Sequence, residues 1–476
     1  MNRILYVASE SNPYAASGGL GDVMGALPIT LAENNPDTEV SVIMPLYTLK
    51  MKPEHRINLE KVCDISFKYS WRDSGASVYK IRNGKVDYYF VENHYYFDRS
   101  ALYGEWDDGE RFAFFSMAVV EFMIQYNYFP NILHANDWQS ALSVIYLKTK
   151  YSYDERLKDI RTVYTIHNIE YQGKFGLETL GDIFALDGYR NVVEYDGCIN
   201  LMKGALYVSD FITTVSPNYA HELHHDYFAF GLADIISKVD VKLKGVINGI
   251  DYNYFSPEKG GEIYSSYGLK DLKKGKKINK IALQKEVGLP QDENVPLVVM
   301  ITRLASQKGI DLVIRILDEM LCENMQFILL GTGETEYEVF FREAERRHNN
   351  FKALIMFDRV ISKKMYAGAD LFLMPSKSEP CGLAQMICCS YGTIPVVRAV
   401  GGLYDSITPY NAPGSNGFSF DNYNAHDLLF TVKKALSLYK DKKEWDALVL
   451  RAKNSDFSWD ISATEYMHIY NKLLNW

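Results

Sequence analysis

An α/β fold of two domains, each a parallel sheet covered by helices, is what the sequence predicts, and three observations carry it. At 476 residues the chain is too long for one ordinary core. In both halves, short apolar runs ending in polar residues alternate with stretches of helical period. That pattern builds parallel sheets whose loops at the carboxyl ends of the strands carry the unusual residues. Between the halves lies Gly245-Val246-Ile247-Asn248-Gly249-Ile250-Asp251, followed by Phe255-Ser256-Pro257. Its Asn-Gly turn and nearby proline mark a boundary.

Taken in order, Arg3-Ile4-Leu5-Tyr6-Val7-Ala8 reads as a buried strand, and Ser17-Gly18-Gly19-Leu20-Gly21-Asp22-Val23 turns into an apolar-periodic helix. Strands follow at 40–45, 86–91, 132–134, 161–167 and 211–215, with helices at 109–126 and 139–150 among them. The second half repeats the pattern with strands at 295–301, 326–330, 353–357, 371–375 and 394–398. The last stretch, 456–476, places Tyr466, Ile469, Tyr470, Leu473 and Leu474 at helical spacing. The expected division is 1–247, 248–455 and a terminal helix at 456–476. The basic run at 270–277 is expected on a solvated loop or helix face.

Composition narrows the function classes. With 47% hydrophobic and 23% charged residues the chain is globular, and a net charge of −9 argues against nucleic-acid binding. The six cysteines, Cys63, Cys198, Cys322, Cys381, Cys388 and Cys389, form no C-x-x-C pair and no ligand spacing with histidine. No metal site is expected. No secretory signal or membrane-length apolar run is read, so the expected location is the cytoplasm.

Four clusters carry chemistry. Glycines let backbone N–H groups approach anionic oxygens at a helix start, which suits both Gly18-Gly19 and Gly401-Gly402-Leu403. The first loop does not match G-x-G-x-x-G, so a dinucleotide redox site is not supported. Arg303 and Lys308 follow the strand at 295–301, where two cations can hold a diphosphate and neutralise a leaving nucleotide without a metal. Glu379, in Glu379-Pro380-Cys381-Gly382-Leu383, is an acceptor suited to sugar hydroxyls. The combination points to sugar-nucleotide chemistry.

Together these clusters resemble bacterial glycogen synthase and plant starch synthase, retaining glucosyltransferases that extend α-1,4-glucan from ADP-glucose. The resemblance covers essentially the whole chain. It takes in the 17–23 loop, Tyr96-Phe97-Asp98-Arg99, Glu110 to Phe115, His134-Ala135-Asn136-Asp137-Trp138-Gln139 and His167 to Gly173. In the second half it includes Thr214 to Pro217, Asn248 to Asp251, Arg303 to Gly309, Pro375 to Leu383 and Tyr391-Gly392-Thr393.

The resemblance implies a GT-B fold, two Rossmann-like domains facing each other across a cleft, with the C-terminal helix crossing back to the first. It implies donor binding by Arg303, Lys308, Cys381, Gly382, Gly401, Gly402 and Leu403, joined by Gly18 and Gly19. Glu379, His167 and Asp137 would be catalytic. Tyr96, Trp138, Gln139 and Asn248 would meet the acceptor or sugar, Trp138 with a stacking face. No cofactor or metal is implied; the partners are ADP-glucose and an α-1,4-glucan, with no nucleic acid and no membrane, and a homo-oligomer is compatible.

The anomeric configuration would be retained, through a covalent intermediate or by departure and attack on one face. The same-face route is preferred, because no motif positions a second carboxylate as nucleophile. One departure stands out. The family usually reads Lys-x-Gly-Gly-Leu, and here Ala16 replaces the lysine. That keeps two alternatives open: a transferase using UDP-glucose or another GT-B chemistry, and a catalytically weakened glucan-binding relative.

Overall fold

The computed structural model describes residues 2–475; Met1 and Trp476, the ends of the ranges given above, lie outside the described residues. The chain divides into two compact units, Met1–Gly249 with Trp459–Trp476, and Ile250–Ser458.

The first unit holds β1 (Asn2–Val7), β2 (Thr38–Pro45), β3 (Glu60–Tyr69), β4 (Arg72–Asn83), β5 (Val86–Glu92), β6 (Ile132–Asn136), β7 (Arg161–Ile166), the short β8 (Lys174–Phe175), β9 (Glu194–Tyr195) and β10 (Cys198–Asn200), then β11 (Phe211–Thr214) and β12 (Leu243–Gly245). Nine of them form one sheet in the order β12-β11-β7-β6-β1-β2-β5-β4-β3, and β8-β10-β9 form a small second one. The strands from β12 to β5 run parallel. Most of their residues are buried on both faces, as helix-covered parallel strands must be.

The expectation of a purely parallel sheet is corrected at one edge. There β5, β4 and β3 pair antiparallel, and β3 and β4 were not anticipated. The reason is physical: β3 alternates exposed Lys61, Asp64, Ser66 and Lys68 with buried Ile65, Phe67 and Tyr69. An edge strand solvated on one face shows no continuous apolar run.

The terminal helix, Trp459–Leu474, packs against the helix Gly19–Asn34 of the first unit. It buries Tyr466, Ile469, Tyr470 and Leu473 almost completely, the two aliphatic side chains each worth about 1.5–3 kcal/mol relative to exposure. A buried polar chain fixes its register. Tyr470 Oη lies 2.6 Å from Tyr6 Oη and 2.7 Å from His134 Nδ1, while His134 Nε2 lies 2.5 Å from Thr165 Oγ1, itself 2.5 Å from Thr213 Oγ1. Burial pushes the His134 imidazole down to about 3. It is a neutral structural residue, satisfied on both nitrogens.

The second unit has β13 (Leu297–Ile301), β14 (Gln326–Leu330), β15 (Phe351–Leu354), β16 (Leu371–Met374), β17 (Ile394–Arg398) and β18 (Phe418–Phe420). They form one parallel sheet in the order β15-β14-β13-β16-β17-β18. The strand expected at 353–357 lies earlier, because Phe351 is buried whereas Met356 and Phe357 face solvent.

The basic run also needs correcting. From Leu272 it belongs to the helix Leu272–Val287, and Lys273 and Lys277 make exposed ion pairs as expected. Lys276 instead turns inward to Thr393 Oγ1 at 2.8 Å and the carbonyls of Ala367 and Tyr391 at 3.3 Å. Burial lowers its ammonium to about 7. Tyr391-Gly392-Thr393 therefore receives a lysine at the end of a helix, a favourable place for a cation.

Candidate active site

In the second unit, two loops at the carboxyl end of the sheet bring Lys308 and Glu379 together. Lys308 closes a 3₁₀ turn, Ser306–Lys308, after β13, and Glu379 lies on the loop after β16. The Lys308 ammonium donates to Glu379 Oε2 at 2.8 Å and Oε1 at 3.0 Å, and Ser376 Oγ donates to Oε2 at 2.9 Å. Glu379 is only 7% exposed. A carboxylate buried that far needs such partners. An ammonium has three N–H donors, so Lys308 keeps one in reserve. Arg303 is exposed on the same side of the sheet and has no ion-pair partner among the described residues.

The loop around Glu379 is held by backbone packing. Gly402 N–H donates to the carbonyls of Glu379 and Pro380, both at 3.1 Å. A Cβ on Gly401 would stand 2.0 Å from Glu379 O, at φ +46°, and one on Gly402 would stand 2.2 Å from Cys381 O. Leu403 is fully buried and its N–H bonds Val400 O at 3.0 Å. Gln385 Nε2 then ties the carbonyls of Cys381 and Gly382 to Ser406 Oγ, which donates back to Gly402 O at 2.5 Å. Glu379, Cys381, Gly382, Gly401 and Gly402 are thus one hydrogen-bonded piece. Ser376 and Gln385 escaped the sequence reading; only the loop's fold reveals their partners.

In the first unit, the carboxyl ends of β1, β6 and β7 gather a second set. Asp137, after β6, adopts φ 56°, ψ 179°, a strained geometry costing of order 1–3 kcal/mol for a non-glycine. Its N–H donates to Thr165 O at 3.0 Å, and its Oδ1 accepts from His167 N at 2.8 Å. Burial pushes the Asp137 carboxyl up to about 7, against the lowering by His167 and Asn168 N–H groups; the nearby charge of Glu10 adds to the rise.

Asn136 fixes the tautomer of His167. Asn136 Nδ2 donates to Val7 O and His134 O, both at 3.2 Å, so its Oδ1 must face His167 Nε2, 2.9 Å away. Nε2 therefore carries the proton and Nδ1 is left as an acceptor. Burial lowers the ring to about 3, so it stays neutral.

The Gly18-Gly19 loop is organised by Glu10, which sequence reasoning missed. Glu10, 3% exposed, accepts from Ser17 N at 2.5 Å, Ser17 Oγ at 2.8 Å and Gly21 N at 3.2 Å. The available signal was a carboxylate just beyond β1 and ahead of two glycines. Gly18 and Gly19 are exposed; Cβ atoms there would meet only Glu10 Oε1 at 3.8 Å, or nothing within 4 Å.

The remaining residues divide. Trp138 is corrected: it is 9% exposed, set between Phe112 and Phe175 with ring centroids 5.4 and 5.7 Å away, so it fills the interior instead of offering a stacking face. Tyr96 is buried and its hydroxyl is committed to Glu110 Oε1 at 2.7 Å. Gln139 Oε1 and Asn248 Oδ1 are buried acceptors without a partner among the described residues. An ordered water or a bound ligand would satisfy acceptors of this kind.

The sequence matches the starch synthase catalytic domain family over residues 3–238 and glycosyl transferases group 1 over 283–448. It is 41% identical over 477 residues to a glycogen synthase of Alkaliphilus metalliredigens, covering 99% of this chain and 100% of that one. The chain belongs to the glycogen synthase family. A glycogen synthase of Geobacillus stearothermophilus is likewise 41% identical, over 478 residues, with 99% and 98% covered. The catalytic domain of starch synthase IV from Arabidopsis thaliana, solved with ADP and acarbose, matches with TM-score 0.91 and 31% identity over 100% of both chains.

The fold is therefore GT-B, as expected, and the protein is a glycosyltransferase. No helix among the described residues is long and apolar enough to cross a membrane, and no group of three or more His, Cys, Asp or Glu among them could hold a metal.

Proposed function

We propose that the protein transfers glucose from ADP-glucose to the non-reducing end of an α-1,4-glucan with retention, as a cytoplasmic glycogen synthase needing no metal. The observation that carries this is the Lys308–Glu379–Ser376 set at the carboxyl end of the second sheet, in a chain that matches glycogen synthases over its full length.

In this reading Arg303 and the spare donor of Lys308 hold the donor diphosphate, and Glu379 supports the sugar as positive charge develops at its anomeric carbon. The C1–O bond to the diphosphate breaks, the acceptor hydroxyl oxygen bonds C1 on the same face, and its proton passes to the leaving phosphate oxygen. Neutral His167 offers Nδ1 as acceptor for a sugar hydroxyl, and Gln139 and Asn248 offer their unpaired oxygens. Gly18 and Gly19 admit the donor closely. Asp137 positions His167 through its backbone rather than transferring a proton.

The test is nucleotide release with glycogen primer and either ADP-glucose or UDP-glucose. Release dependent on primer and faster with ADP-glucose is expected. Preference for UDP-glucose would make Ala16 a mark of altered donor choice. No turnover with either would favour the weakened glucan-binding relative.

A further inference from the structure

Away from the loops just described, a cavity of about 310 Å³ lies along β18, the edge strand of the second sheet. That volume is at the small end of ligand sites, about 300–1,000 Å³. One wall is β18 with the loop on either side of it. The other is the helix Ala425–Lys440, which contributes Asp427, Phe430 and Lys434.

The lining mixes rings with polar groups. Phe430 is 71% exposed although large and apolar. Tyr410 stacks obliquely on buried Phe418 with centroids 5.3 Å apart, and Lys434 Nζ lies 5.9 Å from its ring. Asp421 and Asp427 stand near these rings, and Asn422 Nδ2 donates to Asp427 Oδ2 at 2.8 Å.

These features select the chemistry of an occupant. Two carboxylates against one ammonium disfavour an anion such as a phosphate or an acidic peptide. An apolar segment would desolvate those carboxylates without compensation. A strand from another chain finds no ladder. Phe420 O accepts from Ala399 N–H at 2.9 Å on the β17 side, and the alternation of a parallel pair leaves Ser419 as the one residue of β18 with both main-chain groups toward the free edge. A neutral polyhydroxylated chain satisfies every term. Its C–H faces cover an exposed ring, and its hydroxyls donate to carboxylates and accept from amide and ammonium.

We propose that this cavity is a non-catalytic binding site for an α-1,4-glucan chain, anchoring the polymer while its free end is extended elsewhere. The choice of α-1,4-glucan rests on the proposed activity; the preference for a neutral polyol rests on the cavity alone. The site lies one strand from the active-site loop. Arg398, on β17, donates through Nη1 to Lys377 O at 2.7 Å and through Nε to Asp421 O at 3.2 Å.

The full-length protein should be titrated with β-cyclodextrin, a cyclic α-1,4-glucan that has no non-reducing end and so is no acceptor. Wild type is expected to bind it, and Phe430→Ala to weaken binding by ~10-fold, the effect of removing one aromatic anchor. Phe430→Trp should restore it. In parallel, Phe430→Ala should raise the KM for glycogen several-fold while the KM for ADP-glucose and turnover on maltotriose stay unchanged. Phe430 is exposed, so folding should be unaffected.

Equal β-cyclodextrin binding by wild type and Phe430→Ala, or none by wild type, overturns the proposal. The latter is also the outcome if a polypeptide is the true occupant. Phe430-dependent binding in a protein that releases no nucleotide from either sugar donor would leave this site standing and remove the transferase reading alone.

Discussion

Gly18-Gly19 and Gly401-Gly402 look alike in the sequence, each a glycine pair at the start of a helix after a loop. In the fold they differ. At Gly401-Gly402 the missing side chains are filled by the chain itself: carbonyls of Glu379 and Cys381 occupy the places where Cβ atoms would stand, at 2.0 and 2.2 Å. At Gly18-Gly19 nothing of the chain comes closer than 3.8 Å, and Gly18 at φ −159° is extended backbone open to any residue. The second pair is needed to build the site. The first is needed, in the proposed function, only when a ligand arrives.

The comparison breaks most visibly at Gly402→Ala. The new Cβ must push Cys381 O aside, so the variant is expected to lose ~3 kcal/mol or more of stability, in the class of strained or overpacked substitutions. Activity should fall with it, because Glu379 shares that hydrogen-bonded piece. Denaturant melts check the first and nucleotide-release rates the second.

Glu379→Gln keeps the loop but removes the charge. Turnover should drop by at least ~100-fold with little change in ADP affinity, the size of a lost electrostatic stabiliser. Near-normal turnover would take Glu379 off the catalytic list. A melt shows whether Lys308, left without its carboxylate, has also cost stability.

A smaller effect is expected on the first loop from Ala16→Lys. The extra cation stands to add one charged hydrogen bond to the donor, ~1–3 kcal/mol, seen as a lower KM for ADP-glucose. Ala16 is half-buried and its Cβ fills the space beside Gly21, leaving a longer side chain to extend outward. An unchanged KM would mean that this loop does not meet the donor.

A separate effect concerns pH dependence. Asp137 is held at about 7 by burial, above its unfolded value of about 3.9. The folded state therefore binds more protons than the unfolded one between these values. Its stabilising contribution is complete below pH 4 and is lost as pH rises through 7. Melting temperatures of wild type should fall across that window relative to Asp137→Asn, which keeps the acceptor for His167 N–H. Parallel curves would place the carboxyl back in the ordinary range.

The legible parts of the fold were those buried on two faces. β14 and β17 stand where continuous apolar runs placed them, at Gln326–Leu330 and Ile394–Arg398. β3 and β4 were illegible because a strand with one wet face, at the sheet edge or beside it, reads as a polar stretch. Trp138 was misread because a ring after an aspartate looks the same whether it meets a sugar or Phe112 and Phe175. Within the candidate site, Lys308 and Glu379 are 71 residues apart in sequence, and each stood out by its motif, but only the fold shows them paired. Glu10, Ser376, Asn136 and Gln385 work through contacts that only the folded loops create.

The sharpest test of the central contrast pairs Gly19→Val with Gly402→Ala, measuring melting temperature and KM for ADP-glucose on the same preparations. Gly19→Val should melt with wild type and raise the KM by ~10-fold or more, about 1.4 kcal/mol, by blocking close approach of the donor. Gly402→Ala should melt far lower. A Gly19→Val variant that destabilises like Gly402→Ala, or that leaves the KM unchanged, would contradict the account.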